Sequence, residues 1–202
     1  EEYYLTFKKY AEEGYKILSV SISSKISSTY NVACGAAKRV RQELPGAEIY
    51  CLDSYKMSGA MGLLVIYAHI LKNEREVLGM YLEGKSYQEV IDYLEANKHK
   101  VHMMGPIDDL IFVARRGRIT MGKAIMGSFA GVKPMGDCNR DGYVSVLGKV
   151  KGISKALDTT IAYVRRMATD IQEQYILISH SNRQEYAQKL KSMLEERLNP
   201  KQ

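Results

Sequence analysis

Tryptophan and phenylalanine are scarce in this sequence of 202 residues. It has no tryptophan and three phenylalanines. Its basic residues are spread along the chain and form no stripe. The net charge of +6 comes from 29 basic and 23 acidic residues, a mild excess. A nucleic-acid-binding protein usually shows a basic stripe or a stacking motif, so we expect no nucleic acid partner.

Long apolar runs are also missing. No stretch of about 18 apolar residues exists, so the sequence predicts no membrane-spanning helix and no stable membrane insertion. The first residues lack a basic segment followed by an apolar one, which argues against a signal peptide. We therefore expect a cytoplasmic protein. The chain opens on Glu1 rather than on methionine, so we expect further residues upstream.

Cysteine and histidine are few, and their spacing matches no metal site. The three cysteines are odd in number and far apart. Two of them, Cys34 and Cys51, stand in apolar runs typical of reduced core residues, which fits a reducing compartment. The four histidines have no ligand spacing. The sequence predicts no metal and no cofactor.

The first half of the chain alternates strands and helices. Residues 16–23 alternate polar and apolar side chains, which predicts a strand. Segment 47–52 predicts a second strand, and helical periodicity follows each strand, with Pro45 and Gly46 ending the first helix. Helices are predicted at 58–71 and 86–98. The order strand, helix, strand, helix favours a parallel sheet flanked by helices.

The pattern changes beyond residue 100, where we place a boundary between domains 1–100 and 101–202. A turn at Asp141 and Gly142 separates two predicted strands. The elements predicted in the second half are strands at 101–104, 131–135, 143–147 and 175–179, and helices at 107–114, 154–168 and 183–198. The second half is therefore also predicted to be α/β, with a mixed sheet.

A turn rich in hydroxyl groups joins the first strand to its helix. Segment 21–30 contains five serines and a threonine. Hydroxyls beside the free N–H groups and positive dipole end of a helix can hold a carboxylate or a phosphate. One serine could instead be an ordinary N-cap. A catalytic serine at Ser27, with His180 and Asp53, is a further alternative, although the Gly-x-Ser-x-Gly pattern is absent.

Three other clusters have both a structural and a functional interpretation. Segment 137–142 matches the first half of a calcium loop, but Gly148 stands where a bidentate glutamate is needed, so a hairpin turn is favoured. The cluster Arg115, Arg116 and Arg118 is either a solvated turn or the source of a guanidinium that binds an anion. Ten methionines suit an irregular core or a slot for a flexible chain.

Six motifs in order resemble the DegV family of bacterial fatty-acid-binding proteins. Segment 22–30 is similar to Ser-Ser-x-x-Ser-Gly-Thr-Tyr, and 52–59 is similar to the family's Asp-Ser segment. Segments 107–110 and 115–119 together resemble Leu-x-x-Gly-Gly-Arg-Ile. Lys-Pro at 133–134, Asp-Gly at 141–142 and Lys-x-Lys at 149–151 follow in register.

The resemblance implies a two-domain α/β fold that clasps a long-chain fatty acid and presents its carboxylate to a fatty acid kinase catalytic subunit. It implies a binding subunit, not an enzyme. By this resemblance Ser27, Ser28 and Arg118 bind the carboxylate, and Lys151 contacts the kinase. Candidates for the acyl pocket are Met57, Met61, Met126 and Phe129.

The sequence departs from the family pattern at several positions. Ser28 and Arg116 stand where the family has glycine, and Lys151 replaces an arginine, whose bidentate fork lysine cannot reproduce. Residues 72–82 resemble an additional segment. We expect a segment with Asp-Ser-Thr and Thr-Ser-x-Pro-Ser before Glu1 and one with His-x-Gly-Pro-Gly after Gln202, and both contribute to the family's carboxylate site. If they are missing, a truncated protein that binds another protein instead of lipid is a third possibility.

Overall fold

The computed structural model describes residues 1–73, 75–77, 80–82, 84–116 and 130–200. Its helices are α1 Glu2–Glu12, α2 Thr29–Glu43, α3 Ser58–Lys72, α4 Tyr87–Asn97, α5 Leu110–Arg115, α6 Ile153–Met167 and α7 Gln184–Leu198. Its strands are β1 Ile17–Ser21, β2 Ile49–Asp53, β3 Arg75–Val77, β4 Met80–Leu82, β5 Gly105–Pro106, β6 Val132–Cys138 and β7 Val144–Lys151. Single 3₁₀ turns lie at Lys98–Lys100 and Ile171–Glu173.

The chain forms two compact units. The first contains Glu1–Val101 together with Cys138–Tyr143, and the second contains His102–Asp137 and Val144–Gln202. The division into domains 1–100 and 101–202 stays a prediction.

A parallel pair of strands forms the centre of the first unit. Strands β1 and β2 pair in register from Ile17 opposite Ile49 to Ser21 opposite Asp53. Because side chains alternate across a strand, Ile49 packs with α1 and α2 whereas Leu52 packs with α3 and α4. The prediction of a parallel sheet flanked by helices is confirmed.

Helix α1 was not predicted. Its buried residues Tyr4 and Phe7 are three positions apart, and they join Ala33, Ala37 and Val40 of α2 in one cluster. This spacing is helical, but exposed charged residues and tyrosines surround the two buried residues in the sequence. The helical pattern is therefore weak until the partner helix defines which face is buried.

The second unit contains a three-stranded sheet in the order β5-β6-β7, in which β5 and β6 are antiparallel. The turn between β6 and β7 lies at Asp141 and Gly142, as predicted. Buried Ile161 of α6 packs with Leu194 and Leu198 of α7. The overall α/β class predicted from the sequence is confirmed.

Two predicted strands are wrong. Residues 101–104 are not a strand, because the Met103 N–H donates to the Asp137 carboxylate at 3.0 Å instead of to a neighbouring strand. In segment 175–179 only Tyr175 forms an isolated bridge. Ile176 and Ile178 of that segment pack against the α6 and α7 cluster, so their apolar side chains are partly buried there.

None of the described helices combines the length and the apolar character needed to cross a membrane.

Candidate functional site

The serine-rich turn begins at the carboxyl ends of the two parallel strands. Ser21 ends β1 and lies opposite Asp53, which ends β2. The chain leaves both strands at this edge and enters two turns, 22–28 and 54–57, that lead to α2 and α3. Ligand sites of open α/β sheets lie at this kind of edge, so the local topology favours a site here.

Asp53 connects the two turns. Its Oδ1 accepts the N–H groups of Ser24 and Tyr55, both at 3.1 Å, and its Oδ2 lies 3.3 Å from the Ser24 nitrogen. Asp53 is buried, and its backbone carbonyl accepts the buried Lys98 Nζ at 3.0 Å. One carboxylate therefore fixes the backbone on both sides of the strand ends.

Ser23 fixes the serine-rich turn from a second direction. Its buried hydroxyl donates to the Gly142 carbonyl at 2.7 Å and accepts the Lys25 N–H at 3.2 Å. Gly142 has a φ of +86°, and a Cβ added there would collide with the Ser23 hydroxyl. Only glycine suits this conformation and this close approach, which is a physical reason for the Asp-Gly motif.

Ser27 lies just before α2 and is half-buried. Its Oγ is 2.7 Å from the Thr29 Oγ1 and accepts the Thr29 N–H at 3.3 Å. Ser28 is exposed and is the N-cap residue, but its side chain makes no capping hydrogen bond. The side chain of Ser28 therefore does not cap α2, and Ser27 provides the hydroxyl at the helix start.

Ser21 adds a polar atom at the same edge. It is 2% exposed, and its Oγ has no hydrogen-bond partner among the described residues. A buried hydroxyl without a partner is unfavourable, so it is a polar group still able to accept or donate.

A comparison with known proteins assigns the chain to a family. The family model described as an uncharacterised protein of the DegV family matches residues 1–202. This chain belongs to the DegV family. A DegV domain-containing protein of Clostridium perfringens is 32% identical over 191 residues, which cover 95% of this chain and 62% of that protein. The chain thus spans less than two thirds of the relative's length.

Solved DegV structures have the same fold. A fatty acid binding DegV family protein from Streptococcus agalactiae superposes with a TM-score of 0.75 at 25% identity, covering 96% of this chain and 64% of that one. The Fatty Acid Kinase B3 protein of Streptococcus pneumoniae, loaded with linoleic acid, superposes with a TM-score of 0.77 at 19% identity, covering 92% and 62%.

The other predicted site residues lie in different parts of this DegV chain. Met57 and Met61 are half-buried at the start of α3, and Lys151 is exposed at the end of β7. Arg118, Met126 and Phe129 lie outside the described residues. The roles of Arg118, Met126 and Phe129 rest on the family resemblance alone.

The alternative of a serine triad has no support in the described residues. The Asp53 carboxylate is bonded to backbone amides, and His180 Nδ1 accepts the Arg183 N–H at 3.1 Å. Among the described residues, neither group makes a hydrogen bond to Ser27 Oγ. In the same part of the chain, no three His, Cys, Asp or Glu residues form a group suited to a metal ion.

The sequence did not identify a polar cluster around the buried Asp137 in the second unit. The Tyr163 hydroxyl donates to Asp137 Oδ2 at 2.5 Å, and His102 Nδ1 is 3.2 Å from the same oxygen. Burial raises the pKa of Tyr163, and the hydrogen bond to Asp137 raises it further. Asp137 thus holds segment 102–103 and α6 together through hydrogen bonds. This structural role explains the position of Asp137 beside the turn better than calcium binding does.

Proposed function

We propose that this chain binds a long-chain fatty acid and that Ser27 and Ser28 of the serine-rich turn bind the carboxylate of that fatty acid. The observation that carries the proposal is the half-buried Ser27 hydroxyl at the start of α2, on a turn anchored by Asp53. The membership of the DegV family and the fatty acids named for its solved relatives support it.

The chemistry of this turn suits a carboxylate. The first N–H groups of α2 have no partner within the helix, and the dipole adds positive potential there. The Ser27 hydroxyl is a neutral donor close to these amides, and it can turn from Thr29 towards a ligand. Arg118 would add a charged fork by the family resemblance.

The acyl chain would supply most of the affinity. Transfer of about 15 methylenes out of water is worth roughly 12 kcal/mol, at about 0.8 kcal/mol each. Ordering and desolvation reduce that value strongly. The head-group contacts would then mainly orient the carboxylate. We propose Met57, Met61, Met126 and Phe129 as acyl-chain contacts because their flexible or flat apolar side chains adapt to such a ligand.

We further propose that the protein acts as a non-catalytic binding subunit that presents the carboxylate to a fatty acid kinase in the cytoplasm. The solved neighbour from Streptococcus pneumoniae, named a fatty acid kinase B3 protein, supports this proposal. Lys151 is exposed and so is accessible to a partner.

A Lys151→Ala variant should slow acyl phosphate formation with kinase and ATP while oleate affinity stays unchanged. Equal rates of acyl phosphate formation would remove Lys151 from the kinase contact.

The direct test is oleate binding by the Ser27→Ala variant. We expect the affinity to fall by about 1–3 kcal/mol, because the carboxylate would lose a hydrogen bond in a partly desolvated site. Ser192→Ala is the matched control, since among the described residues the Ser192 hydroxyl bonds to a carbonyl of its own helix alone. Binding is measured by titration calorimetry on delipidated protein.

Two results would contradict the proposal. Equal affinity of Ser27→Ala and Ser192→Ala would exclude Ser27 from the head-group site. Absence of any fatty acid in organic extracts examined by mass spectrometry, together with no oleate binding, would exclude lipid binding by this chain.

A further inference from the structure

A second candidate site lies in the first unit and goes beyond the proposed lipid function. It is a cavity of about 710 Å³, within the range typical of small-molecule sites. Ser27 is not among the residues that line it. The lining residues are Lys25, Tyr55, His99, Arg140, Asp141 and Tyr143.

Two cations of this cavity have no acidic partner. Among the described residues, neither the Lys25 ammonium nor the Arg140 guanidinium makes a hydrogen bond or an ion pair. The Lys25 Nζ lies 5.9 Å from the centroid of the Tyr143 ring. Cations that converge on a concave surface without a counter-ion attract anions, and arginine and lysine both bind phosphoryl groups.

The aromatic side of the cavity is held in place. The Tyr55 and His99 rings have centroids 5.5 Å apart and planes 32° apart. The buried Lys98 Nζ lies 4.6 Å from the Tyr55 centroid. Tyr55 has a φ of +52°, unusual for a tyrosine, and the Asp53 carboxylate binds its N–H. Asp53 thus stabilises this strained backbone conformation, which places the Tyr55 side chain in the lining of the cavity.

The charge balance of the cavity also favours an anion. Burial lowers the pKa of His99, and the neighbouring charges of Lys98, Lys56 and Arg140 lower it further. Among the described lining residues, Asp141 is the acidic one. It would repel a bare phosphate but can accept hydrogen bonds from hydroxyl or amino groups of a larger ligand.

We propose that this cavity binds a mononucleotide-type ligand, in which Lys25 and Arg140 hold the phosphoryl group and the Tyr55 and Tyr143 rings pack against the planar ring. Cations with adjacent aromatic faces are the combination that binds phosphorylated bases. Asp141 accepts a hydroxyl or amino donor of the same ligand. The ligand class follows from three different kinds of side chain around one cavity.

The test is calorimetric titration of the full chain with adenosine monophosphate, inorganic phosphate and adenosine. Adenosine monophosphate should bind at least about tenfold more tightly than either fragment, because only it engages both the cations and the rings. Lys25→Gln and Arg140→Gln should each weaken it about tenfold. The controls Lys38→Gln and Arg165→Gln remove exposed charges outside the cavity and should leave it unchanged.

A second readout follows the His99 ring by NMR. A bound phosphoryl group should raise the pKa of His99, and Arg140→Gln should reduce that increase. The proposal is overturned by no binding of the nucleotide, by equal binding of phosphate and nucleotide, or by equal losses in the controls. Oleate binding by Arg140→Gln should equal that of the unsubstituted chain, so failure of this site is distinguishable from failure of the lipid site.

Discussion

At the scale of single residues, Asp53 determines the geometry of the strand ends. Its side chain binds one amide in each of the two turns, and its carbonyl binds Lys98. Lys98 in turn pairs with Glu95 at 2.7 Å. Both candidate sites depend on this residue, because Ser24 belongs to the serine-rich turn and Tyr55 lines the cavity. The role of Asp53 is therefore to position other residues.

Replacement of Asp53 by asparagine tests this role. The change removes the negative charge and one acceptor oxygen, so we expect the free energy of unfolding to fall by about 1–3 kcal/mol. Urea denaturation measures the loss. Asp141→Asn is the control, since Asp141 is exposed and makes no hydrogen bond with its side chain among the described residues. Equal stability of the two variants would show that Asp53 is not an anchor.

At the scale of elements, Asp108 connects β6 and the start of α7 within the second unit. Its Oδ1 accepts Lys133 Nζ at 2.5 Å, and its Oδ2 accepts Arg183 Nε at 2.5 Å. The bond to Lys133, together with the bond to Arg183, lowers the pKa of Asp108 against the opposing effect of burial. The ionised carboxylate thus holds three chain segments: 107–109, β6 and residue 183.

A pH dependence follows from this lowered pKa. The stabilisation is present above the unfolded pKa of about 4 and is lost as the pH falls through the lower folded value. Asp108→Asn should cost about 1 kcal/mol at pH 7, since Arg183 is partly exposed. The difference from the unsubstituted protein should shrink below about pH 4, as followed by thermal unfolding. A difference that is constant from pH 7 to pH 2 would contradict the assignment.

At the scale of the whole molecule, the buried apolar residues that the structure describes form separate clusters. Leu94, 0% exposed, belongs to the cluster between the parallel pair and helices α3 and α4, whereas Ile161, 3% exposed, belongs to the cluster of α6 and α7. The two clusters share no residue. Each unit therefore has a core of its own.

Two truncations test the independence of these cores. Leu94→Ala and Ile161→Ala should each lower the free energy of unfolding by about 2–5 kcal/mol, because each leaves a cavity. The double variant should lose the sum of both within about 0.5 kcal/mol, since sites without shared partners are additive. Denaturant titration of all four proteins would reveal any deviation, and a large one would mean that the cores are coupled.

The sequence alone determined the features that depend on local order. The alternation of residues 16–23 predicted β1, helical spacing predicted α2 to α4, and Asp141-Gly142 predicted the turn, because each pattern reflects its own backbone geometry. Motif order also identified the family, and with it the proposed roles of Ser27 and Arg118. Arg118 stays a prediction.

Only the tertiary structure decided which side chains meet. The bond from Ser23 to Gly142 joins residues 119 positions apart, and no local pattern encodes such a separation. The same holds for the Asp137 cluster, for the loss of the strand at 101–104 and for the cavity around Lys25 and Arg140. These features depend on hydrogen bonds and charges brought together by packing, so the sequence could supply their residues but not their partners.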